Sequence, residues 1–327
     1  MGVRYPADYA SAFQKVVFEL SGFSPDADDC VAVDIMEGYN NEASGVKYYY
    51  GHNLIEVDVS AYARAALKVE PVLWSGLHLA SVRSVPMSVR VGGYQSERVL
   101  VCAATQPLPL NTLLSDLSKR TIALDERDEI AFVSDEHEIV SDITIIDRKG
   151  TEHYFEGMLF LYDKGVAVYG LDVAKVAIEA QERGIAPEDI AQIIVGVKLG
   201  AEKQIRVTYD VRSNTNGVRL AWVNHFGAID YYTFPNIIAS HLVALPEDII
   251  GEPRRSYTEC EISSDIVPRK IAEALADIVP SPKVWIVEGD TYTPCEVVTD
   301  AVEWCNCSAP TAVKLVIRTQ NTPQSNG

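Results

Sequence analysis

The sequence predicts a mainly β protein with a few helices, organised as several β-sandwich-like domains. The first indication is a succession of short segments that are rich in β-branched and aromatic residues and are bounded by Gly, Asn or Asp, such as 30–37, 45–51 and 53–60. The second is that 327 residues with 47% hydrophobic content supply apolar surface for two or three cores rather than one. Helical periodicity is confined to a few segments, so strands dominate the predicted fold.

We expect three domains. The first, 1–106, is a β-sandwich-like domain, and the second, 107–234, is β-rich with one helix. The third, 235–327, is an α+β domain with a frayed C-terminal tail. Between the first two, residues 104–120 (ATQPLPLNTLLSDLSKR) are predicted to form a linker with one or two short helical turns.

In the first domain, alternation places Ile55, Val57 and Val59 on one apolar face of a strand. Residues 87–102 predict a hairpin that turns around Gly92 and Gly93. Both patterns are typical of a sheet with one buried face.

The central domain combines further strands with one helix over 172–184, in which Asp172 can cap the first turn. Glu152 and His153 are expected in a polar turn. The dipeptide Asn216-Gly217 lies between alternating apolar runs, which predicts that the two strands within 203–224 pair through a type I′ turn.

The last domain is predicted to hold an amphipathic helix over 265–279, capped by Ser264 or Asp265. The apolar face of this helix carries Ile271, Leu275 and Ile278. A hairpin turning at 288–290 and a final strand over 311–320 complete the domain.

The charge balance limits the classes of partner. Lys and Arg number 28 against 46 Asp and Glu, which gives a net charge of -18 that repels phosphate backbones and anionic lipids. We therefore expect no nucleic-acid or membrane partner. The N-terminal stretch lacks the apolar region of a signal peptide, so we expect no secretion by that route. The six scattered cysteines are expected to be reduced and mostly buried, as in a protein made in the cytoplasm.

The chain carries none of the local signatures of nucleotide sites or of the nucleophile elbow, so we expect no cofactor and assign no catalytic residue. For metals, 24–29 (SPDADD) starts like an EF-hand loop but lacks its Gly and Glu, and 135–138 (DEHE) is favoured as a solvated turn. Cys305 and Cys307 form C-x-C rather than C-x-x-C and are favoured as strand residues, so no metal site is predicted. Paired carboxylates of a hydrolase remain open, because that geometry is tertiary.

Aromatic residues give a second open alternative, a platform for sugar rings. Tyr48, Tyr49 and Tyr50 adjoin along one predicted strand, and Tyr231 and Tyr232 along another. Adjacent strand residues point to opposite faces, so half-buried sheet aromatics are favoured over a continuous platform.

The densest aromatic stretch, 220–234 (LAWVNHFGAIDYYTF), is interpreted as a structural corner. We expect Trp222 and Phe234 to pack in a core, and Gly227 to break or bulge the strand. Asn224 and Asp230 are expected to hydrogen-bond backbone groups around Gly227.

A resemblance starts from the same stretch, which fits the pattern W-x-N-x-x-G-x-x-D-Y-x-x-F. The matching residues are Trp222, Asn224, Gly227, Asp230, Tyr231 and Phe234. In this pattern, and more weakly in 47–67 and 271–298, the chain resembles structural proteins of the tail and baseplate region of phages and prophages of Bacteroidetes-type bacteria. The resemblance implies a non-enzymatic virion component that acts as an oligomer, with copies of itself and other virion proteins as partners.

We therefore expect an assembly subunit located in the virion tail region. The segment 61–84, with Trp74, Leu77 and Leu79, is expected either to supply part of a subunit interface or to close a domain. The alternatives are a carbohydrate-binding or adhesin-like β module and, second, a hydrolase with carboxylates brought together by the fold.

Overall fold

The structure is a computed structural model. It describes residues 2–6, 9–23, 30–38, 43–71, 74–79, 83–105, 110–134, 138–155, 157, 159–161, 165–200, 203–212, 217–244, 256–302 and 309–321. Within these ranges the chain forms 26 strands and three α-helices, which confirms the predicted mainly β class. The tail beyond residue 321 lies outside the described residues.

The N-terminal part contains ten strands and one helix. They are β1 (Gly2–Arg4), β2 (Tyr9–Ser11), β3 (Val17–Ser21), β4 (Cys30–Glu37), β5 (Ala43–Tyr50), β6 (Leu54–Asp58), α1 (Ser60–Ala66), β7 (Gly76–Leu79), β8 (Ser84–Val91), β9 (Tyr94–Gln95) and β10 (Val99–Cys102). The predicted hairpin is present, because β8 pairs with both β9 and β10 beyond the Gly92 turn.

The middle of the chain contains nine strands and one helix. They are β11 (Thr112–Leu113), β12 (Lys119–Ala123), β13 (Arg127–Ser134), β14 (Glu138–Asp147), β15 (Glu152–Phe155), β16 (Leu159–Leu161), β17 (Gly165–Asp172), α2 (Val173–Glu182), β18 (Ile190–Leu199) and β19 (Lys203–Arg212). A 3-10 turn over Pro187–Asp189 precedes β18.

The C-terminal part contains seven strands and one helix. They are β20 (Val218–Val223), β21 (Ile229–Phe234), β22 (Asn236–Ala244), β23 (Ser256–Val267), α3 (Arg269–Ala276), β24 (Val284–Glu288), β25 (Thr291–Val297) and β26 (Thr311–Asn321).

The strands form five sheets. Their orders are β1-β3-β6; β2-β10-β8-β4-β5, with β9 beside β8; β11-β13-β17-β7; β12-β19-β18-β14-β15, with β16 beside β14; and β21-β20-β24-β25-β26-β23-β22. Two pairings are parallel, β10 with β2 and β12 with β19, and they join strands that are far apart in sequence.

Three large apolar cores lie between these sheets. The first packs the two N-terminal sheets around Phe18 and Met87, and it includes the predicted face of Ile55, Val57 and Val59. The second packs α2 and the two central sheets. The third packs α3 against the seven-stranded sheet, and it buries the predicted helix face of Ile271, Leu275 and Ile278.

Helix α2 forms where predicted, because Asp172 accepts a hydrogen bond from the Lys175 amide and Gly184 takes a φ of 84° just beyond its end. Helix α3 is shorter than predicted. It begins at Arg269 after Pro268, and no side chain caps it. Ser264 and Asp265 belong to β23 instead, because this strand pairs with β26 as far as Val267.

Three other local predictions are wrong. The described part of 104–120 contains the short strands β11 and β12 and no helical turn. Glu152 and His153 lie within β15, because the turn is made earlier, at Arg148–Gly150. Strands β19 and β20 do not form a hairpin, since β19 pairs with β12 and β18 while β20 pairs with β21 and β24.

The three-domain division stays a prediction. Strand β7 of the expected first domain pairs with β17. The hairpin of β20 and β21, placed at the end of the expected central domain, pairs with β24 of the C-terminal part. Sheet pairing therefore crosses both expected boundaries without defining new ones.

Candidate functional site: a buried hairpin, its charge cluster and the cleft at its corner

The aromatic-rich stretch 220–234 forms most of the hairpin of β20 and β21. Val218 pairs with Phe234 and Trp222 with Asp230, so the register is regular from end to end. The turn lies over 224–228, where the Asn224 amide donates to the Ala228 carbonyl at 2.9 Å. The cluster of aromatic residues is thus one antiparallel pair rather than the far arm of a hairpin turned at Asn216-Gly217, part of which lies outside the described residues.

Gly227 is required in this turn for two reasons. Its φ is +72°, a conformation that side-chain-bearing residues rarely adopt. A Cβ atom at this position would also lie 2.4 Å from the backbone carbonyl carbon of Ala103. The glycine therefore forms the turn, rather than a bulge within a strand, and it lets the corner contact the segment after β10.

The Asn224 side chain holds the turn in place. Its Oδ1 accepts hydrogen bonds from the amides of Phe226 and Ala228 at 3.0 and 3.1 Å. Its Nδ2 donates to the Leu114 carbonyl and to Asp230 Oδ2, each at 2.8 Å. One side chain thus joins the turn to β21 and to the segment before β12.

Trp222 and Phe234 are fully buried in the core beneath α3, together with Leu220 and Tyr232. The rings of Tyr232 and Phe234 meet edge to face at a centroid distance of 5.1 Å. The indole Nε1 of Trp222 has no acceptor among the described residues, so this side chain contributes through packing.

Asp230 differs from its expected role. Its carboxylate accepts from Arg120 Nη2 and Asn224 Nδ2, both side chains rather than backbone groups. Burial raises the pKa of Asp230, and the charge of Arg120 offsets that rise only in part. The residue is therefore one member of a buried charge cluster.

The buried charge cluster is the set of three arginines and three acids Arg83, Arg120, Arg219, Asp128, Glu129 and Asp230. Asp128 is its centre. One carboxylate oxygen accepts from Arg120 Nη1 at 2.5 Å and the other from Arg219 Nη2 at 2.8 Å. Arg219 also donates to Thr233 Oγ1 at 2.9 Å and lies over the Tyr231 ring at 5.2 Å.

A second ion pair completes the cluster. Arg83 binds Glu129 with both terminal nitrogens, at 2.5 and 3.0 Å, and these side chains are 1% and 0% exposed. Tyr231 donates to Glu129 at 3.5 Å and contacts the Tyr292 hydroxyl at 3.2 Å. The cluster therefore connects the loop before β8 to β13, β21 and β25.

The electrostatics of the cluster favour permanent pairing. Burial alone would lower the pKa of Arg120, but the carboxylates of Asp128 and Asp230 outweigh it and raise the pKa. Burial raises the pKa of Tyr209 and Tyr231 well above the ordinary value, so both phenols stay protonated donors. Balanced charges that are sealed from water connect strands, and they offer no open face to a substrate.

The cluster was missed by sequence reasoning. Arg83, Arg120 and Arg219 were not singled out, because an arginine ordinarily faces solvent and is fully buried only when it is paired. In β20 every residue from Arg219 to Val223 is buried, so alternation there separates two interiors. The feature that identifies the cluster is the pairing of acids with arginines in strands that have no exposed face. This pairing can be seen only once the tertiary fold is known.

A cleft of about 600 Å³ opens at the corner of the hairpin. Its walls come from the end of α1, the segment after β2, the 223–225 corner and the 277–283 segment that leads to β24. His225 contacts Asp277 Oδ2 through Nδ1 at 3.1 Å, and its ring packs on Phe226 with centroids 3.9 Å apart.

Serine, histidine and aspartate all line this cleft, but they do not form a relay. The Ser281 hydroxyl bonds the carbonyls of Val223 and Lys283, each at 2.8 Å. His225 Nε2 lies 3.7 Å from a carboxylate oxygen of Asp116. The histidine is therefore held between two acids, without a contact to the Ser281 hydroxyl.

The other candidate sites are partly outside the described residues. Residues 24–29, 135–137, Cys305 and Cys307 belong to those gaps, and Glu138 lies in β14. Within the described ranges, no group of three His, Cys, Asp or Glu side chains could hold a metal ion. No described helix is long and apolar enough to cross a membrane.

The two groups of tyrosines differ in their exposure to solvent. Tyr231 and Tyr232 are buried, whereas Tyr48 and Tyr50 are 63% and 58% exposed on one face of β5. In the 61–84 segment, β7 pairs with β17 and buries Leu77, while Trp74 is 71% exposed.

Of the cysteines described, Cys102 is buried, Cys30 is exposed, and Cys260 and Cys295 are intermediate, so fewer are buried than expected. All four are free thiols.

Among the residues that the structure describes, two long strands lie at sheet edges. β5 ends the six-stranded N-terminal sheet, and β22 ends the seven-stranded sheet. β22 carries the exposed apolar residues Ile237, Ile238 and Leu242. Its sequence, NIIASHLVA, contains no Lys, Arg, Asp, Glu or Pro, which are residues that commonly protect an edge from pairing.

No protein-family model and no curated protein sequence matches the chain. A solved structure to which the chain is similar is trypsin-activated alpha-2-macroglobulin from Escherichia coli, at 7% identity and a TM-score of 0.22. The alignment covers 96% of this chain and 21% of that chain, so the chain spans about a fifth of its length. At this TM-score the similarity carries no argument about fold or function.

Proposed function

We propose that the chain is a structural subunit that assembles with copies of itself, in the tail or baseplate region of a phage- or prophage-type particle. The observation that carries the proposal is the β22 edge, nine residues long with Leu242 73% exposed. An edge strand presents unpaired amide and carbonyl groups that a second strand can bind.

The charge distribution supports a second copy as the partner of this edge. Two chains that each carry a net charge of -18 repel each other where acidic residues face one another. β22 has no acidic or basic residue other than His241, so antiparallel pairing of two copies along it brings no carboxylates together. The location in a tail or baseplate rests on the resemblance carried by the Trp222–Phe234 pattern.

The first test is the mass of the purified chain in solution. We expect light scattering coupled to size exclusion to show an oligomer in the wild type, and a shift towards the monomer in Leu242→Lys, because a charge on the edge opposes pairing. The matched control is Ile178→Lys, which changes an apolar side chain 59% exposed on α2, away from any sheet edge.

A wild type that remains monomeric at high concentration, or an oligomer that is unaffected by Leu242→Lys, contradicts assembly through β22. The location has its own test, which is mass spectrometry of purified particles from a host that carries the gene. The chain's absence from those particles removes the tail or baseplate role.

A second candidate function, a carbohydrate-binding module, is favoured by Tyr48 and Tyr50. They alternate on β5, so both rings lie on the same exposed face, and Val46 adjoins them at 42% exposure. On a glycan array we expect any saturable signal to be lost in Tyr48→Ala/Tyr50→Ala and kept in Tyr154→Ala, a tyrosine 56% exposed on another sheet. Equal loss in both variants contradicts a platform on β5.

A further inference from the structure

The cleft at the hairpin corner combines an apolar wall with two cations. Its apolar surface comes from Phe13, Leu67, Val69 and Val223 and from two prolines that flank Ser281. A volume of about 600 Å³ lies within the range of about 300–1,000 Å³ that small-molecule sites occupy.

The cations stand out against the charge of the whole chain. Arg64 and Lys283 both line the cleft, in a protein where acids outnumber Lys and Arg by 46 to 28. Arg64 Nη1 donates to the Ala12 carbonyl at 2.7 Å, a neutral acceptor. Neither Arg64 nor Lys283 has a carboxylate within ion-pair distance among the residues that the structure describes.

The acid in the cleft is already engaged. Asp277 Oδ2 accepts from the His225 amide and contacts the His225 ring, each at 3.1 Å. An anion that enters the cleft therefore meets two cations that have no carboxylate partner among the described residues, and one lining carboxylate, Asp277, that is held by His225.

We propose that this cleft binds a small amphipathic carboxylate, whose apolar body packs on Phe13, Leu67 and Val223 and whose anionic group faces Arg64 and Lys283. Arginine matches a carboxylate through paired N–H donors, and lysine adds a point charge. The proposal is independent of assembly through β22, because no residue of that strand lines the cleft.

Calorimetric titration with decanoate, compared with the uncharged decanol, tests the proposal. We expect decanoate to saturate one site per chain. In Arg64→Gln/Lys283→Gln the Kd for decanoate should rise roughly tenfold or more, since charge-assisted hydrogen bonds are lost, while the Kd for decanol changes little. Phe13→Ser, at a side chain 61% exposed, should weaken both ligands.

Two controls separate the cleft from general apolar surface. Lys175→Gln removes an exposed cation elsewhere, and Leu242→Ser removes an exposed apolar residue of β22; both should leave decanoate binding unchanged. Unchanged melting temperatures show that the variants fold. The absence of saturable binding, equal losses for decanoate and decanol in Arg64→Gln/Lys283→Gln, or a loss in Leu242→Ser each overturns the proposal.

Discussion

The two faces of the hairpin formed by β20 and β21 are both buried, but different forces hold them. One face carries Trp222 and Phe234 into the apolar core beneath α3. The other face carries Arg219 and Tyr231 to the buried charge cluster, where arginines and acids balance each other. The same two strands therefore lie between an apolar interior and one that holds paired charges.

The difference indicates how the free energy of unfolding should respond to substitutions on each face. On the apolar face the loss of stability follows the volume removed, because packing contacts are many and individually weak. On the charged face it follows the balance of charge, because a single unpaired ion in the interior is costly whatever its size. Substitutions that separate volume from charge can test this distinction.

Glu129→Gln should produce one of the largest effects, because it keeps the side-chain volume and leaves the buried guanidinium of Arg83 without its anion. We expect a loss of about 3–5 kcal/mol in the free energy of unfolding, measured by urea denaturation. The surface control is Asp210→Asn, whose partner Lys119 is 47% exposed, with an expected loss of about 0–1 kcal/mol.

The charge-balance argument also predicts a rescue. The double variant Arg83→Met/Glu129→Leu removes both ions together and should recover most of the stability lost in Glu129→Gln. A double variant as unstable as the single one would show that the pair acts through its hydrogen bonds and not through charge balance.

Trp222→Ala tests the apolar face. The indole is fully buried, so its truncation should cost about 3–5 kcal/mol in the free energy of unfolding, with no change in the fold of the charged face. Trp222→Phe should retain more stability, since Nε1 has no acceptor among the described residues and only volume is lost. Equal losses in the two variants would contradict a role in packing.

Gly227→Ala tests the turn that joins β20 to β21. A residue with a side chain at φ +72° is strained, and its Cβ would meet the backbone of Ala103. We expect a loss of about 1–3 kcal/mol. The matched control is Gly289→Ala, in the turn between β24 and β25, where φ is +58° but no atom lies near the added Cβ. An effect no larger than in the control would assign the cost to φ alone.

How far the sequence predicts this hairpin depends on the face. Its apolar side follows from alternation, which places Leu220 and Trp222 together, and the need for a glycine at 227 follows from the turn it makes. The pairing partner does not follow from local pattern. Asn216-Gly217 is a strong hairpin dipeptide, yet β20 pairs with β21 and β24, because the strand gains buried neighbours on both of its edges there.

The charged side lies beyond sequence reasoning for a physical reason. Asp128 joins Arg219 across 91 residues, and Glu129 meets Tyr231 across 102, so nothing in the spacing of these residues indicates a contact. Their charges also resemble those of solvated residues in a chain with a net charge of -18. Only the stacking of several sheets around them converts the same residues into an interior.

The carboxylate of Asp147, whose side chain is 15% exposed, gives the smallest effect and sharpens the contrast with Asp230. Backbone hydrogen bonds, that from the Thr151 amide first, lower the pKa of Asp147 from 3.8 to about 2, with help from the His153 ring. A lowered pKa contributes stability that is fully present above about pH 4 and is lost as the pH falls through about 2. Burial raises the pKa of Asp230, so its contribution to stability has the opposite pH dependence and is lost as the pH rises.

Carboxyl NMR should therefore show a midpoint of about 2 for Asp147. The melting temperature of Asp147→Asn should fall less than that of the wild type between pH 4 and pH 2. A midpoint near 4 would show that these hydrogen bonds do not hold the turn in solution.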